Sequence, residues 1–115
     1  MALIKFETNS RVSEERARSI TKNLAKAVAG ITGEPASGIK VEIAGDRRMR
    51  MAESDEPIAH VEIRNVEIEK SRAGELTSAV CPVLEDAMGI RDSKVYIAVI
   101  STRNSMWRVN GDCKN

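Results

Sequence analysis

The chain has 115 residues, a formal net charge of +1 from 18 basic and 17 acidic side chains, and one residue each of Trp, Tyr and Phe. That length fits one domain, 1–115, with a core that assembly with other copies would enlarge. The even charge balance gives no global attraction to nucleic acid or anionic membrane, and three aromatic residues supply few platforms for base stacking.

The opening strand is read from Leu3 to Thr8, with Leu3, Ile4 and Phe6 as its apolar bulk. Lys5 and Glu7 interrupt that run, so it is not the apolar region of a secretory signal. No stretch reaches the roughly 18 apolar residues of a membrane span. Asn9-Ser10 mark the turn, and Ser13 is placed to cap a helix whose first turn carries Glu14 and Glu15, where negative charge suits the helix dipole. Ile20, Leu24, Ala27, Val28 and Ile31 draw one apolar stripe along that helix, and Gly33 and Pro35 stop it. Ile39, Val41 and Ile43 then alternate with Lys40 and Glu42, the pattern of a half-buried strand.

The same order recurs. Ala59, Val61 and Ile63 alternate with His60, Glu62 and Arg64; a second helix carries Leu76, Val80, Val83, Leu84 and Ala87 up to Gly89; Val95, Ile97 and Val99 form a last strand. An offset of 56 positions carries Asn9 onto Asn65, Ala17 onto Ala73, Thr21 onto Thr77, Gly33 onto Gly89 and Ser37 onto Ser93. We read an internal duplication with pseudo-repeats at about 2–45 and 57–101. Pro82 is the misfit, since a proline inside the second helix removes a donor and predicts a kink or a restart.

Each half is strand, helix, strand, and a crossover helix makes the two strands of a half parallel. The expected fold is α/β (α+β in some schemes): two βαβ units forming a four-stranded mixed sheet with both helices on one face. The other face carries Lys5, Glu7, Lys40, Glu42, His60, Glu62 and Arg64. It is either a solvated face with cross-strand ion pairs or the wall of a polar channel between three copies; periodicity does not choose. His60 reads as a cross-strand polar residue rather than a metal ligand. Cys81 and Cys113 have no ligand spacing and read as reduced thiols in the cytoplasm. No phosphate loop, metal cage or Ser-His-Asp order is present, so neither a cofactor nor a metal is expected.

The residues Met1-Ala2-Leu3-Ile4-Lys5-Phe6-Glu7-Thr8-Asn9 resemble the first strand of the macrophage migration inhibitory factor and D-dopachrome tautomerase family. Thr32-Gly33-Glu34-Pro35 is similar to that family's Thr-Gly-Lys-Pro turn. The series Asp46, Met49, Ser54, Glu56, Pro57 matches one of its loops. Lys94-Val95-Tyr96-Ile97 resembles its Arg-Val-Tyr-Ile strand, and Trp107 with Asn110-Gly111 its C-terminal Trp-Asn-Gly segment. The resemblance implies a homotrimer with sites between neighbouring subunits. It also implies keto–enol chemistry in which removal of Met1 bares a basic N-terminal Pro that moves a proton between carbon and oxygen of an α-keto acid.

Several positions implied by the resemblance are altered here. Ala2 stands for the Pro; its amine, if bared, is primary and can act as a base or form an imine, whereas with Met1 retained it is an amide. Glu34 stands for the Lys that holds a substrate carboxylate, and its charge repels that group. Ala98 stands for an Asn and has no donor or acceptor. Val66 matches an Ile that binds substrate through its backbone, and Tyr96 matches the Tyr of the adjoining subunit's site. Lys70 and Arg72 follow the third strand where related dehalogenases and decarboxylases carry arginines, and an Arg there fits a carboxylate bidentately. The expected function is weak, altered or absent tautomerase activity on a small carbonyl or α-keto acid through Ala2. The alternative is a non-catalytic homotrimeric binding module. A third reading, anion or nucleic-acid binding through Arg47, Arg48 and Arg50, runs against the overall charge balance.

Overall fold

The computed structural model describes residues 2–103, 108–109 and 112–113. Met1, Trp107, Asn110 and Gly111, which enter the resemblance above, lie outside the described residues. The elements are β1 (Ala2–Thr8), α1 (Glu14–Thr32), β2 (Lys40–Ala44), β3 (Ala59–Val66), α2 (Ala73–Met88) and β4 (Val95–Thr102). A two-stranded ribbon follows, β5 (Arg108–Val109) against β6 (Asp112–Cys113), which the alternation of apolar residues does not announce.

The four long strands lie in the order β2-β1-β3-β4. β1 pairs parallel with β2, β3 pairs parallel with β4, and the two halves meet antiparallel at β1 and β3. The expected mixed sheet of two βαβ units is therefore present. Strand alternation decides which face is dry: Ala2, Ile4, Phe6 and Thr8 are buried on β1, and Ala59, Val61, Ile63 and Asn65 on β3. Ile20, Leu24, Ala25 and Val28 of α1 and Leu76, Val80, Cys81 and Leu84 of α2 cover that face.

The 56-residue offset relates elements as well as letters. A short 3-10 turn at Ala36–Gly38 has its counterpart at Asp92–Lys94. The turn Lys70–Arg72 and α2 together, residues 70–88, occupy the offset positions of α1. Both helices end on a left-handed glycine, Gly33 at φ 80° and Gly89 at φ 67°, whose amides bond back to Ala29 and Glu85. Ser13 caps α1 as its sequence position predicts, accepting from the Arg16 amide at 3.2 Å.

Three details differ from the sequence reading. α2 is one run from Ala73 to Met88 and does not restart at Pro82. Pro82 and Ser78, whose carbonyl loses its helical partner, both sit on the exposed side, where water can satisfy that carbonyl. Ala27 is only half-buried and lines the outer groove between α1 and α2, while Ala25 takes the place in the core. Ile39 is buried but caps the 3-10 turn, its amide donating to Ala36 O, and β2 begins at Lys40.

Gly45, just after β2, is held against the turn that leaves β1. A Cβ there would lie 3.0 Å from the Ser10 carbonyl oxygen and 3.1 Å from the Val12 amide nitrogen. The same turn is tied down by the Asp46 amide donating to Ser10 O at 2.9 Å and the Arg47 amide donating to Thr8 O at 3.0 Å. Gly45→Ala is therefore expected to push these backbones apart and to cost about 1–3 kcal/mol. A denaturant midpoint no lower than wild type would show that the close approach is not needed.

Candidate functional site

Ala2 begins β1 on the helix-covered face and is in register with Asn65 of β3. Asn65 is 6 % exposed. Its Nδ2 donates to Glu34 Oε1 at 2.9 Å, across 31 residues of chain. Glu34 is placed there by the turn after α1: Gly33 in the left-handed region reverses the chain, and the Glu34 amide donates to Thr32 Oγ1 at 3.3 Å. Antiparallel partners lie about 4.5–5.5 Å apart at Cα, so the Glu34 carboxylate, the Asn65 amide and Ala2 share one end of the sheet. In the sequence Ala2 and Glu34 stand out, whereas Asn65 is visible only as the repeat partner of Asn9. The one available signal was a polar residue on the phase of Ala59, Val61 and Ile63, the buried phase of β3.

Beside Asn65 opens a cleft of about 180 Å³, lined by Ile31, Thr32, Asn65, Glu67, Ile68, Glu69, Arg72 and Leu76. Glu67 is held in the left-handed region, φ 48°, with its amide donating to Thr102 O at 3.0 Å. Ile68 is fixed by donation from its amide to Ser101 Oγ at 2.9 Å. Of the two basic residues picked out after the third strand, Arg72 lines this cleft, with its Nε on Glu75 Oε2 at 2.8 Å. Lys70 is exposed and does not line it. Val66 ends β3 in register with Thr102, beside Asn65 in the chain.

Tyr96 and Ala98 are elsewhere. Register runs Ala2 to Asn65 to Ser101 across the sheet, whereas Tyr96 is level with His60 and Ala98 with Glu62. Tyr96 is thus five residues from the Ala2 level, about 17 Å along β4. Tyr96 is 51 % exposed, with its hydroxyl 3.6 Å from Met51 Sδ, and it borders a shallow depression with His60, Ser93 and Ala98. One chain therefore carries the candidate residues in two separate groups: Ala2, Glu34, Val66 and Arg72 at one end of the sheet, Tyr96 and Ala98 on the outer part of β4.

The uncovered sheet face is a charge ladder. Lys5 sits in register between Glu42 and Glu62. Glu62 accepts from Arg64 Nη2 at 2.9 Å and Nε at 3.2 Å on one oxygen, and its other oxygen is 3.2 Å from His60 Nε2. Hydrogen bonding from Arg64, then from His60, holds the Glu62 carboxyl below the ordinary carboxylate value. A depressed folded-state pKa contributes stability that is complete above the unfolded carboxylate pKa and is lost as pH falls through the lower folded value. Glu62→Gln is expected to lower the melting temperature near neutral pH, with the gap to wild type closing below about pH 4. A gap constant from pH 7 to pH 3 would show that the ion pairs contribute nothing.

Of the loop arginines, Arg47 lies 3.9 Å from Glu7 and Arg50 3.0 Å from Asp55, all of them solvent-facing. Among the described residues no three of His, Cys, Asp and Glu cluster to hold a metal, and no helix is long and apolar enough to cross a membrane.

A four-stranded mixed sheet of two βαβ units is the architecture of tautomerase-like folds. The family described as macrophage migration inhibitory factor (MIF) matches residues 1–113, and the chain belongs to that family. It is 28 % identical over 114 residues to a macrophage migration inhibitory factor homolog of Trichuris trichiura, covering 96 % of this chain and 97 % of that protein. In structure it is similar to the macrophage migration inhibitory factor homologue of Prochlorococcus marinus, with a TM-score of 0.90 at 23 % identity, covering 98 % of this chain and 99 % of that one. It is also similar to a protein crystallised after inactivation by 2-oxo-3-pentynoate, with a TM-score of 0.85 at 14 % identity, covering 97 % and 94 %.

Proposed function

We propose that this MIF-family chain is a homotrimeric tautomerase-like protein of one domain, built from two pseudo-repeats, whose turnover of phenylpyruvate-type α-keto acids is weak. The observation that carries this reading is the Glu34 carboxylate held by Asn65 at the Ala2 end of the sheet. An anionic substrate meets negative charge there, and the repulsion in a partly desolvated cleft raises both binding and activation free energies. Ala2, once Met1 is removed, supplies a primary amine as base, with no ring to fix the nitrogen. Val66 offers its backbone, Arg72 a cation lining the cleft beside Asn65, and Tyr96 and Ala98 come from a neighbouring copy. The two groups of residues lie on different parts of one chain, which is why the reading requires an assembly. A small carbonyl compound is the ligand class, with no bound cofactor.

The non-catalytic binding module is the second reading, and the lack of a side-chain amide at Ala98 favours it. The test is the enol–keto interconversion of phenylpyruvate by protein whose intact mass shows Ala2 at the N-terminus. The expected result is a rate only slightly above buffer. Fast turnover that disappears when the amine is acylated would replace this reading with an efficient tautomerase.

A further inference from the structure

The loop between β2 and β3 is held in a costly backbone. Three of its residues that are not glycine have positive φ: Asp46 at 54°, Ala52 at 51° and Glu53 at 63°. Ala52 and Glu53 are the two central residues of a tight turn, closed by the Ser54 amide donating to Met51 O at 3.0 Å. Glycine or asparagine normally takes such positions, so this turn persists only where its surroundings hold it. Met51 is the first residue of the turn, and its side chain reaches β4 and the 3-10 turn before it. The Tyr96 hydroxyl lies 3.6 Å and the Lys94 ammonium 3.9 Å from its Sδ.

Two proton donors, one of them charged, therefore converge on a thioether, which is a weak acceptor. Met51 is half-buried, so a small oxidant can reach the sulfur.

We propose that Met51 is an oxidation site whose sulfoxide oxygen accepts from the Tyr96 hydroxyl and the Lys94 ammonium, so that oxidation by a peroxide fastens the loop to β4. In this step a sulfur lone pair attacks one oxygen of hydrogen peroxide, an S–O bond forms and the O–O bond breaks. The sulfur loses two electrons and the peroxide gains them. The departing hydroxide takes the proton of the transferred oxygen and leaves as water. The product oxygen is a stronger acceptor than the thioether and projects from the sulfur, which closes the gap to donors that now stand too far off for short hydrogen bonds. Methionine oxidation in an apolar core strands a polar oxygen and loosens the packing; here the new oxygen meets a hydroxyl and an ammonium. The inference is independent of turnover at the Ala2 end.

Trypsin reads this loop directly, because Arg47, Arg48 and Arg50 lie just before Met51. The full chain is treated with hydrogen peroxide, oxidation of Met51 is followed by peptide mass, and cleavage after these arginines is timed before and after treatment. Oxidised wild type is expected to be cleaved at least about 2-fold more slowly, the lower end of what one added hydrogen bond gives. That protection is expected to fall in Tyr96→Phe, which keeps the oxidisable sulfur and the cleavage sites. It is expected to vanish in Met51→Leu, which keeps the bulk and leaves the other methionines open to oxidation. Should Tyr96→Phe fail to fold, Lys94→Gln removes the other donor and makes the same comparison. Cleavage unchanged or faster once Met51 is oxidised would overturn the proposal. So would protection undiminished in the donor variant or retained in Met51→Leu, or a Met51 that stays a thioether while Met49 and Met88 are oxidised.

Discussion

The variant Ala2→Pro, Glu34→Lys, Ala98→Asn is expected to interconvert enol and keto phenylpyruvate at least about 100-fold faster than wild type, the lower end of what a positioned general base contributes. Each change addresses one defect. Proline at position 2 supplies a secondary amine whose orientation its ring fixes, once Met1 is removed. Lysine at position 34 puts an ammonium where the Asn65 amide now holds a carboxylate. Asparagine at position 98, level with Glu62, restores an amide to the outer part of β4. The groups act as one unit, so single changes are expected to recover much less than the three together. A triple variant that folds, has lost Met1 and is no faster than wild type would show that these are not the positions that limit the chemistry.

Phe6→Ala is expected to cost about 3–5 kcal/mol, roughly a fifth or more of the stability of an ordinary domain. Phe6 is wholly buried in the middle of β1, in register with Ile43 on one side and Val61 on the other. Both neighbouring strands and the helical layer close over it, so a truncated side chain leaves a cavity that the surroundings cannot collapse to fill. The urea midpoint measures this directly. Tyr96→Ala, at a half-exposed position on β4, is the control and is expected to change the stability of the isolated chain by less than about 1 kcal/mol. Equal losses for the two would mean that the core is not organised around β1.

The fold was legible because its signals are local and repeat. Strand alternation around Val41 and Val61, the capping Ser13 and the paired glycines 33 and 89 each mark an element, and the 56-residue offset states the same answer twice. What escaped is set by tertiary context. Ala25 and Ala27 are both small residues near the edge of one helical stripe, and only the placement of α2 decides which of them meets the sheet. The helix runs through Pro82 because its lost hydrogen bond falls on the solvent side, a fact no propensity contains.

The site was legible in part. Ala2 and Glu34 stand out as departures from a familiar pattern, and the structure brings them to one end of the sheet. Asn65 did not stand out, because its meaning lies in a hydrogen bond 31 residues away. Lys70 and Arg72 are alike in sequence, and the 3-10 turn that holds them directs only Arg72 to the cleft. The separation of Tyr96 from Ala2 is invisible until strand register is known; register puts five residues between their levels, and the site proposed above therefore calls for a second copy.

That requirement is tested most directly by the mass of the native assembly in solution, measured at micromolar concentration by native mass spectrometry or sedimentation. The expected result is three copies of the 12.6 kDa chain, bringing Tyr96 and Ala98 of one copy to the Ala2 end of the next. A stable single chain at that concentration would contradict it, because Ala2 and Tyr96 could then never face the same ligand.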